Sequence, residues 1–503
     1  MVQKKTLVRN SISGAVQLSV TALLTFICIP IFIGKLGTEL YAVFGLVSII
    51  GNLNLLTNIG LDSTLTKFLA EQGRGKESNQ DVITALLFST TLITLISLGV
   101  YLCRFFLLRE ILHIPRQYVL PAERLLSLLL IANGILLVGQ TLTSMLHALQ
   151  RMYLSNLLQL FYSVIYWLGT IVVVSMGYGL PAVGVVMLLA AVLWMVCNIA
   201  SVSIYWKSVR AEYSWHIFQT HARKQIGYGI RIYTSSLISF FNEPLIRILL
   251  SHLFGLNVVA YYDIAIRVKT QLMGLFHKIV IPLYPFISQL TDREFLALLV
   301  KDLTKKLLLL SLPVAVLLLF TCYPIVTLWI GQDVWLYTAF IIGIVVPFIL
   351  CSPPTIPIYY YLMSKGHPQK TIVFQLFTVV CCLLLFFLFY PLMGVYALLL
   401  ANALECVGSF LLGIHYQSKY QGITYRRPRW LKARKYLLLG LLYAAIGLIG
   451  YGITNPYLSI ATVAVLMLLS TVYLYKHLHI VEQSDVKRYF SENASIVSFY
   501  QKL

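Results

Sequence analysis

Long apolar runs separated by short polar segments make up most of the chain. Windows of about 20 apolar residues, the length that crosses a bilayer as a helix, recur along the whole sequence. We expect membrane spans near 11–33, 40–60, 82–103, 125–146, 153–176, 180–206, 227–253, 259–285, 307–330, 335–363, 371–391, 393–416, 435–454 and 456–476. The pattern predicts an all-α integral membrane protein with about 14 transmembrane helices.

Proline and charge refine two of these regions. Pro353, Pro354 and Pro357 remove helical donors inside the span 335–363, so we expect that helix to break there. Between the third and fourth spans, Arg104 to Arg124 mixes apolar residues with charges. This mixture predicts a short amphipathic helix at the outer membrane interface.

Composition agrees with a membrane protein and excludes a soluble one. Hydrophobic residues make up 59% of the chain, charged residues 11%, and the mean hydropathy is +0.83. The net charge of +20 raises the question of nucleic acid. With the N-terminus inside, however, most of the 38 Lys and Arg fall in inner segments, and only Lys35, Arg104, Arg109, Arg116 and Arg124 fall outside. We therefore expect both termini in the cytoplasm and no nucleic-acid partner.

Two neighbouring spans, 227–253 and 259–285, carry charge at membrane depth and are called the charged hairpin (227–285). Its charged residues are Arg231, Glu243, Arg247, Asp263, Arg267, Lys269 and Lys278. Each ionised side chain near the bilayer centre costs roughly 2.5–3.5 kcal/mol, so such residues usually face a bundle interior or a watery path. With Glu405 included, five intramembrane cations stand against three carboxylates. A bound anion would neutralise this excess.

Helical spacing gives these charges a common face. Asp263, Arg267 and Lys278 fall on one stripe of the second helix, and Glu243 and Arg247 fall on one stripe of the first. Counted from the break between the helices, Glu243 lies at the height of Arg267, and Arg247 at the height of Asp263. Both pairs can meet. The pairs either only lock the hairpin together or form part of an anion site.

Short motifs in the first two spans carry a family resemblance. They are Pro30, the stretch 35–41 (KLGTELY), the stretch 58–61 (NIGL) and the stretch 67–71 (KFLAE). These motifs resemble the polysaccharide transporter family of bacterial O-antigen and capsule flippases. Its superfamily also holds multidrug exporters and lipid II flippases. Two departures are Ala42, where the family often has Gly, and a first span without the basic residue of lipid II flippases.

An internal repeat accompanies the resemblance. The break 36–41 (LGTELY) after the first span has a counterpart at 254–261 (FGLNVVAY) after the seventh. We therefore expect two six-helix lobes of like orientation. The lobes would be 1–206 and 207–416, the second containing the charged hairpin, followed by added helices in 417–476 and a cytoplasmic tail, 477–503. The resemblance implies that the added pair helps to form a groove for a lipid tail.

The resemblance implies a bacterial inner-membrane flippase that exports polyprenyl-pyrophosphate-linked oligosaccharide by alternating access. The product would enter lipopolysaccharide, capsule or exopolysaccharide. Since arginine matches phosphate with a bidentate fork, we expect Arg247, Arg267 and Lys278 to hold the pyrophosphate. Glu243 and Asp263 would form ion pairs. The candidates for sugar contact are Gln17, Asn52, Asn54 and Asn58, which are equally consistent with bonds between helices.

Glu405 has no obvious partner within its own span. Desolvation makes it a candidate for proton or sodium coupling, and a neutral hydrogen-bonded glutamate is an equal alternative. We expect no cofactor and no metal. The expected partners are the lipid-linked oligosaccharide and the bilayer itself. We expect the protein to be a monomer, alone or together with polysaccharide assembly proteins.

Other functions fit less well. A small-molecule, cation-coupled antiporter of the multidrug type would need acidic residues in excess, and this chain has the opposite balance. A membrane-embedded polymerase or acyltransferase could use His113, Arg116 or the charged hairpin. The segments between spans are short, however, and contain no phosphate loop, metal-ligand cluster or nucleophile motif. We therefore expect a transporter and not an enzyme.

Overall fold

A computed structural model describes residues 4–51, 61–206, 212–280, 293–331, 333–364, 368–422 and 430–477. Within these ranges the chain is helical, with no strand, as the sequence predicts. Nine helices in the described ranges are long and apolar enough to cross a membrane, and shorter apolar helices join them. The prediction of an all-α membrane protein with about 14 spans is confirmed.

The chain packs into two compact units, residues 1–263 and 264–503. The helices that begin in the N-terminal unit are α1 Lys4–Leu36, α2 Thr38–Gly51, α3 Leu61–Gln72, α4 Lys76–Leu102, α5 Arg104–Phe106, α6 Arg116–Ala148, α7 Met152–Ser175, α8 Leu180–Tyr205, α9 Trp215–Phe254 and α10 Leu256–Val280. The boundary falls inside α10, after Asp263. The division into lobes 1–206 and 207–416 stays a prediction.

The C-terminal unit contains the rest of α10 and seven further helices. These are α11 Arg293–Trp329, α12 Val334–Cys351, α13 Ile356–Ser364, α14 Pro368–Met393, α15 Tyr396–Gln421, α16 Trp430–Tyr451 and α17 Pro456–His477. A 3₁₀ turn, Pro353–Thr355, separates α12 from α13. The predicted break in the span 335–363 is therefore confirmed, and its cause is the loss of two backbone donors at consecutive prolines.

Helices α16 and α17 pack on α11 in the C-terminal unit. Tyr443, Ile446, Val463 and Met467 form a buried cluster between the two helices, and Leu312 and Val316 of α11 pack against it. The absence of a side chain at Gly447 lets Phe320 of α11 lie directly against α16. The added helix pair is thus held to the unit by apolar side chains. Its predicted role in a lipid-tail groove stays a prediction.

Helices α6 and α8 pack closely against each other in the N-terminal unit. Gly139 of α6 leaves room for the Trp194 ring of α8. Asn198 Nδ2 donates to the Gly139 carbonyl oxygen at 2.8 Å and to Thr143 Oγ1 at 2.9 Å. Small residues and polar bonds between helices are typical of packing inside a membrane, where burial alone gives little driving force.

The interfacial helix after α4, predicted within Arg104 to Arg124, is shorter than the sequence predicts. Helix α5 has three residues and continues as a π-helical turn, Leu107–Ile111, while α6 begins at Arg116. Leu108 is fully buried, whereas the neighbouring Arg109 and Glu110 are exposed, which agrees with an amphipathic segment. Its place at the outer membrane interface stays a prediction. The C-terminal half of the predicted interfacial helix is instead the start of α6, because Pro115 begins a new helix there.

Candidate functional site

The charged hairpin turns at Gly255, between α9 and α10. Gly255 has φ +81° and ψ −178°, and its N–H donates to the Ser251 carbonyl oxygen. Gly37 has φ +88° at the equivalent break between α1 and α2, and its N–H donates to the Ile33 carbonyl oxygen. The two breaks that the sequence pairs as a repeat therefore share a local geometry that favours glycine.

Replacing Gly255 tests this turn. Gly255→Ala should lower the free energy of unfolding by roughly 1–3 kcal/mol, because only glycine adopts this region without strain. Thermal unfolding of the purified protein measures the effect. Gly227→Ala on α9 is the matched control, since Gly227 lacks a positive φ and has open space around it. Equal melting temperatures of the two variants would contradict a strained turn.

The turn brings Arg247 and Asp263 together. Both residues lie eight positions from Gly255, one on each helix, and Arg247 Nη2 is 2.8 Å from Asp263 Oδ1. The side chains are 15% and 3% exposed. The predicted contact between Arg247 and Asp263 is confirmed, and the pair lies largely out of contact with solvent.

A third helix contacts the same carboxylate. Tyr41 of α2 donates from Oη to Asp263 Oδ2 at 2.8 Å. Phe32 of α1 packs edge-on against the Tyr41 ring, with 5.6 Å between the ring centroids. A Cβ at Gly45, one turn beyond Tyr41, would lie 3.7 Å from Asp263 Cγ, so α2 passes close to the acid. We call Tyr41, Arg247 and Asp263 the polar junction.

One N–H donor of Arg247 makes no contact within the polar junction. Arg247 Nε is buried and has no hydrogen-bond partner among the described residues. A guanidinium carries five N–H donors in a rigid fork, so a contact with one carboxylate oxygen does not exhaust it. The arrangement can therefore hold Arg247 in a fixed, charged orientation while donors remain for an anion.

The other charged residues of the hairpin fall in different places. Glu243 lies one turn before Arg247 on α9 and is half-buried, and Arg267 lies one turn beyond Asp263 on α10 and is also half-buried. The predicted Glu243–Arg267 pair stays a prediction. The side chains of Arg231 and Lys278 lie outside the described residues. Their predicted roles are therefore untested.

Glu405 lies in the C-terminal unit and is 6% exposed. Ser409 Oγ donates to Glu405 Oε1 at 2.8 Å, and Cys406 Sγ lies 3.6 Å from Oε2. The expectation that Glu405 lacks a partner in its own span is wrong, because Ser409 is one helical turn away. Lys269 interacts electrostatically with the same carboxylate, and its Nζ lies 4.9 Å from the centroid of the Phe348 ring.

The predicted sugar-facing residues are only partly described. Gln17 is half-buried on α1, and its Nε2 donates to Thr21 Oγ1 at 3.4 Å, within the same helix. Asn52, Asn54 and Asn58 lie outside the described residues. The sugar site therefore stays a prediction.

Sequence reasoning missed a second buried polar cluster in the N-terminal unit. Asp81 of α4 is fully buried, and His221 Nδ1 of α9 lies 2.7 Å from its Oδ1. Gln225 Nε2 donates to the same oxygen at 2.9 Å, and Gln72 Nε2 donates to Oδ2 at 2.9 Å. We call these four residues the Asp81 cluster. The spacing of His221 and Gln225, four residues apart on one helix, is the signal that could have indicated a shared partner.

The fold is similar to those of several solved structures. The chain is similar to the lipid II flippase MurJ in its inward closed conformation, with a TM-score of 0.72 and 15% identity over 93% of this chain and 99% of that one. It is also similar to an outward-facing multidrug resistance MATE family transporter of the MOP superfamily, with a TM-score of 0.62 and 15% identity over 83% of this chain and 96% of that one. A MOP superfamily transporter from Pyrococcus furiosus, described as having a binding pocket of reverse polarity, has a TM-score of 0.60 and 16% identity over 84% of this chain and 97% of its own.

The sequence comparison identifies a family. No curated protein sequence matches the chain. The family described as "Polysaccharide biosynthesis protein" matches residues 7–291, more than half of the 503 residues. This range runs from the first turn of α1 to beyond α10 and includes all three residues of the polar junction. The protein therefore belongs to the polysaccharide biosynthesis protein family.

Proposed function

We propose that the protein is a flippase for polyprenyl-pyrophosphate-linked oligosaccharides. It would move them across the bacterial inner membrane by alternating access, with both termini in the cytoplasm, for lipopolysaccharide, capsule or exopolysaccharide synthesis. Family membership and the fold shared with a lipid II flippase support this proposal. The observation that carries it is the polar junction, in which Arg247 pairs with Asp263 while its buried Nε bonds to no described residue.

Pyrophosphate is the chemical group that suits this junction. Arg247 stays charged when desolvated and can donate to phosphate oxygens as a planar fork. Asp263 neutralises only part of the positive charge of the hairpin, which has five cations and two carboxylates. Even with Glu405 beside Lys269, three carboxylates stand against five cations, and an anionic substrate would complete the neutralisation. Arg267 and Lys278 on α10 are the further cations that we assign to the substrate.

A transport assay tests the function. Purified protein in proteoliposomes should expose a polyprenyl-pyrophosphate oligosaccharide to an impermeant probe at least tenfold faster than protein-free vesicles. Arg267→Ala, at matched abundance, should lower this rate about tenfold because it removes a phosphate-binding cation. Arg223→Ala, which removes an exposed cation near the start of α9, is the charge-matched control and should transport normally. Normal transport by Arg267→Ala would remove Arg267 from the site.

A small-molecule antiporter is the second candidate, because the fold is also similar to multidrug MATE transporters. The same vesicles can be loaded with a fluorescent organic cation and given a proton or sodium gradient. The flippase proposal expects no gradient-driven movement of the cation. Movement of the cation without movement of the lipid-linked oligosaccharide would overturn the flippase proposal in favour of the antiporter. Glu405 would then be the first candidate for coupling.

A further inference from the structure

A groove lies on the N-terminal unit, and no described residue of the polar junction or the charged hairpin lines it. It is formed by α4, α6 and α8 and has a volume of about 710 Å³, within the range of small-molecule sites. Its α4 wall runs from Thr90 to Tyr101 and its α6 wall from Ser127 to Val138. At about 1.5 Å per residue each wall is roughly 16 Å long. This is close to half of the roughly 30 Å hydrocarbon core, the depth of one leaflet.

The groove is open and mostly apolar. Leu98, Ile131 and Val196 line it from the three helices and are 52%, 56% and 59% exposed. All three helices are long and apolar enough to cross a membrane. Exposed apolar side chains on such helices suit hydrocarbon chains and not water, so the natural content of the groove is a lipid chain.

One polar atom in the groove lacks a partner. Ser97 Oγ is buried and makes no hydrogen bond among the described residues. Ser97 lies one helical turn from Tyr101, where the groove ends. A buried hydroxyl normally finds an acceptor, and a hydrocarbon chain provides none. Rotation of the Ser97 side chain into the groove would bring this hydroxyl to an ester carbonyl near the head of a lipid chain.

The end of the groove at Tyr101 is charged and aromatic. The Arg104 guanidinium lies 4.2 Å from the centroid of the Tyr101 ring, and Arg104 Nε is 2.6 Å from Glu123 Oε1. Arg109 and Arg124 are exposed at the same end. From Tyr101 to Arg124 the chain has four arginines and two glutamates, so this end is cationic. It complements an anionic head group.

We propose that the groove binds an anionic glycerophospholipid of the bilayer. One acyl chain lies along α4, α6 and α8, an ester carbonyl accepts from Ser97, and the head-group phosphate lies beside Arg109 and Arg124. A polyprenyl phosphate has no ester carbonyl and its tail is not matched to one leaflet, which favours the glycerophospholipid. This site is separate from the proposed transport site and does not depend on the transported substrate.

Photo-crosslinking tests the groove. The full-length protein is placed in nanodiscs with phosphatidylglycerol that carries a photoreactive group in its acyl chain, and labelled peptides are mapped by mass spectrometry. We expect labelling of α4, α6 and α8. Gly134→Leu should lower it at least fivefold, because Gly134 lines the groove and a Cβ there would meet only Ile93 Cγ1, at 3.9 Å. The matched control is Gly99→Leu, at an exposed glycine of α4 with open space around it, which should label normally.

Two further comparisons test the head group and the alternative occupant. Photoreactive phosphatidylglycerol should label the groove at least threefold more than phosphatidylcholine, and Arg109→Gln/Arg124→Gln should abolish the difference. Labelling that is unchanged in Gly134→Leu, or equal for both lipids in the wild type, overturns the proposal. Preferential labelling by a photoreactive polyprenyl phosphate also overturns it and assigns the groove to the substrate tail. Melting temperatures of the variants within a few degrees of wild type establish that they are folded.

Discussion

Asp263→Ala should lower the free energy of unfolding by roughly 3–5 kcal/mol, because it leaves Arg247 as a buried charge without its carboxylate. Tyr41 also loses the acceptor that it donates to at 2.8 Å. Thermal unfolding of the purified variant, together with its abundance in the membrane, measures the loss. A variant as stable as wild type would show that the polar junction does not hold α2, α9 and α10 together.

A variant that removes the whole polar junction separates stability from function. Tyr41→Phe/Arg247→Met/Asp263→Leu replaces all three polar side chains by apolar ones of similar volume. Exchange of a buried ion pair for apolar residues is often neutral or stabilising, so this variant should be within about 1 kcal/mol of wild type or more stable. We call it the apolar-junction variant. The free energy of unfolding that the apolar-junction variant regains relative to Asp263→Ala is the control for the first prediction.

Asp81→Ala should have a similarly large effect at the Asp81 cluster. The carboxylate accepts from Gln225 and Gln72 and contacts His221, and hydrogen bonds to a charged group contribute about 1.5–3 kcal/mol each. Thermal unfolding should report a loss of roughly 3–5 kcal/mol, with the start of α9 released from α3 and α4.

Lys224→Ala is the control for Asp81→Ala, because it lies on the same turn of α9. Lys224 Nζ is 3.3 Å from Glu77 Oε1, and the two side chains are 43% and 60% exposed. Exposed pairs contribute about 0–1 kcal/mol, so this variant should differ little from wild type. A loss as large as that of Asp81→Ala would mean that surface charge, and not the buried carboxylate, holds α9 in place.

Much of the fold could be predicted from the sequence because membranes restrict the choices. Runs of apolar residues must become helices in a bilayer, and consecutive prolines at Pro353 and Pro354 must interrupt one. The contact of Arg247 with Asp263 followed from equal distances to the turn at Gly255. These inferences use spacing along one helix or one hairpin, which the sequence contains.

The parts that could not be predicted depend on contacts between residues far apart in the chain. Asp81 follows the polar stretch 76–80 (KESNQ), which resembles a solvated loop, yet it is fully buried, with His221 and Gln225 in contact with its carboxylate. Tyr41 belongs to a motif that carries the family resemblance, but its bond to Asp263 spans 222 positions. Ser409 is different, because it lies four residues from Glu405 and its bond could have been read from helical spacing.

The most direct test of the central claim is the rate at which the apolar-junction variant moves polyprenyl-pyrophosphate oligosaccharide in proteoliposomes, measured beside wild type with an impermeant probe. Because this variant should stay folded, its transport reports on the role of Arg247 and not on stability. If Arg247 binds the pyrophosphate, the rate should fall at least tenfold. A folded apolar-junction variant that transports at the wild-type rate would contradict the claim and leave the polar junction as a structural lock between helices.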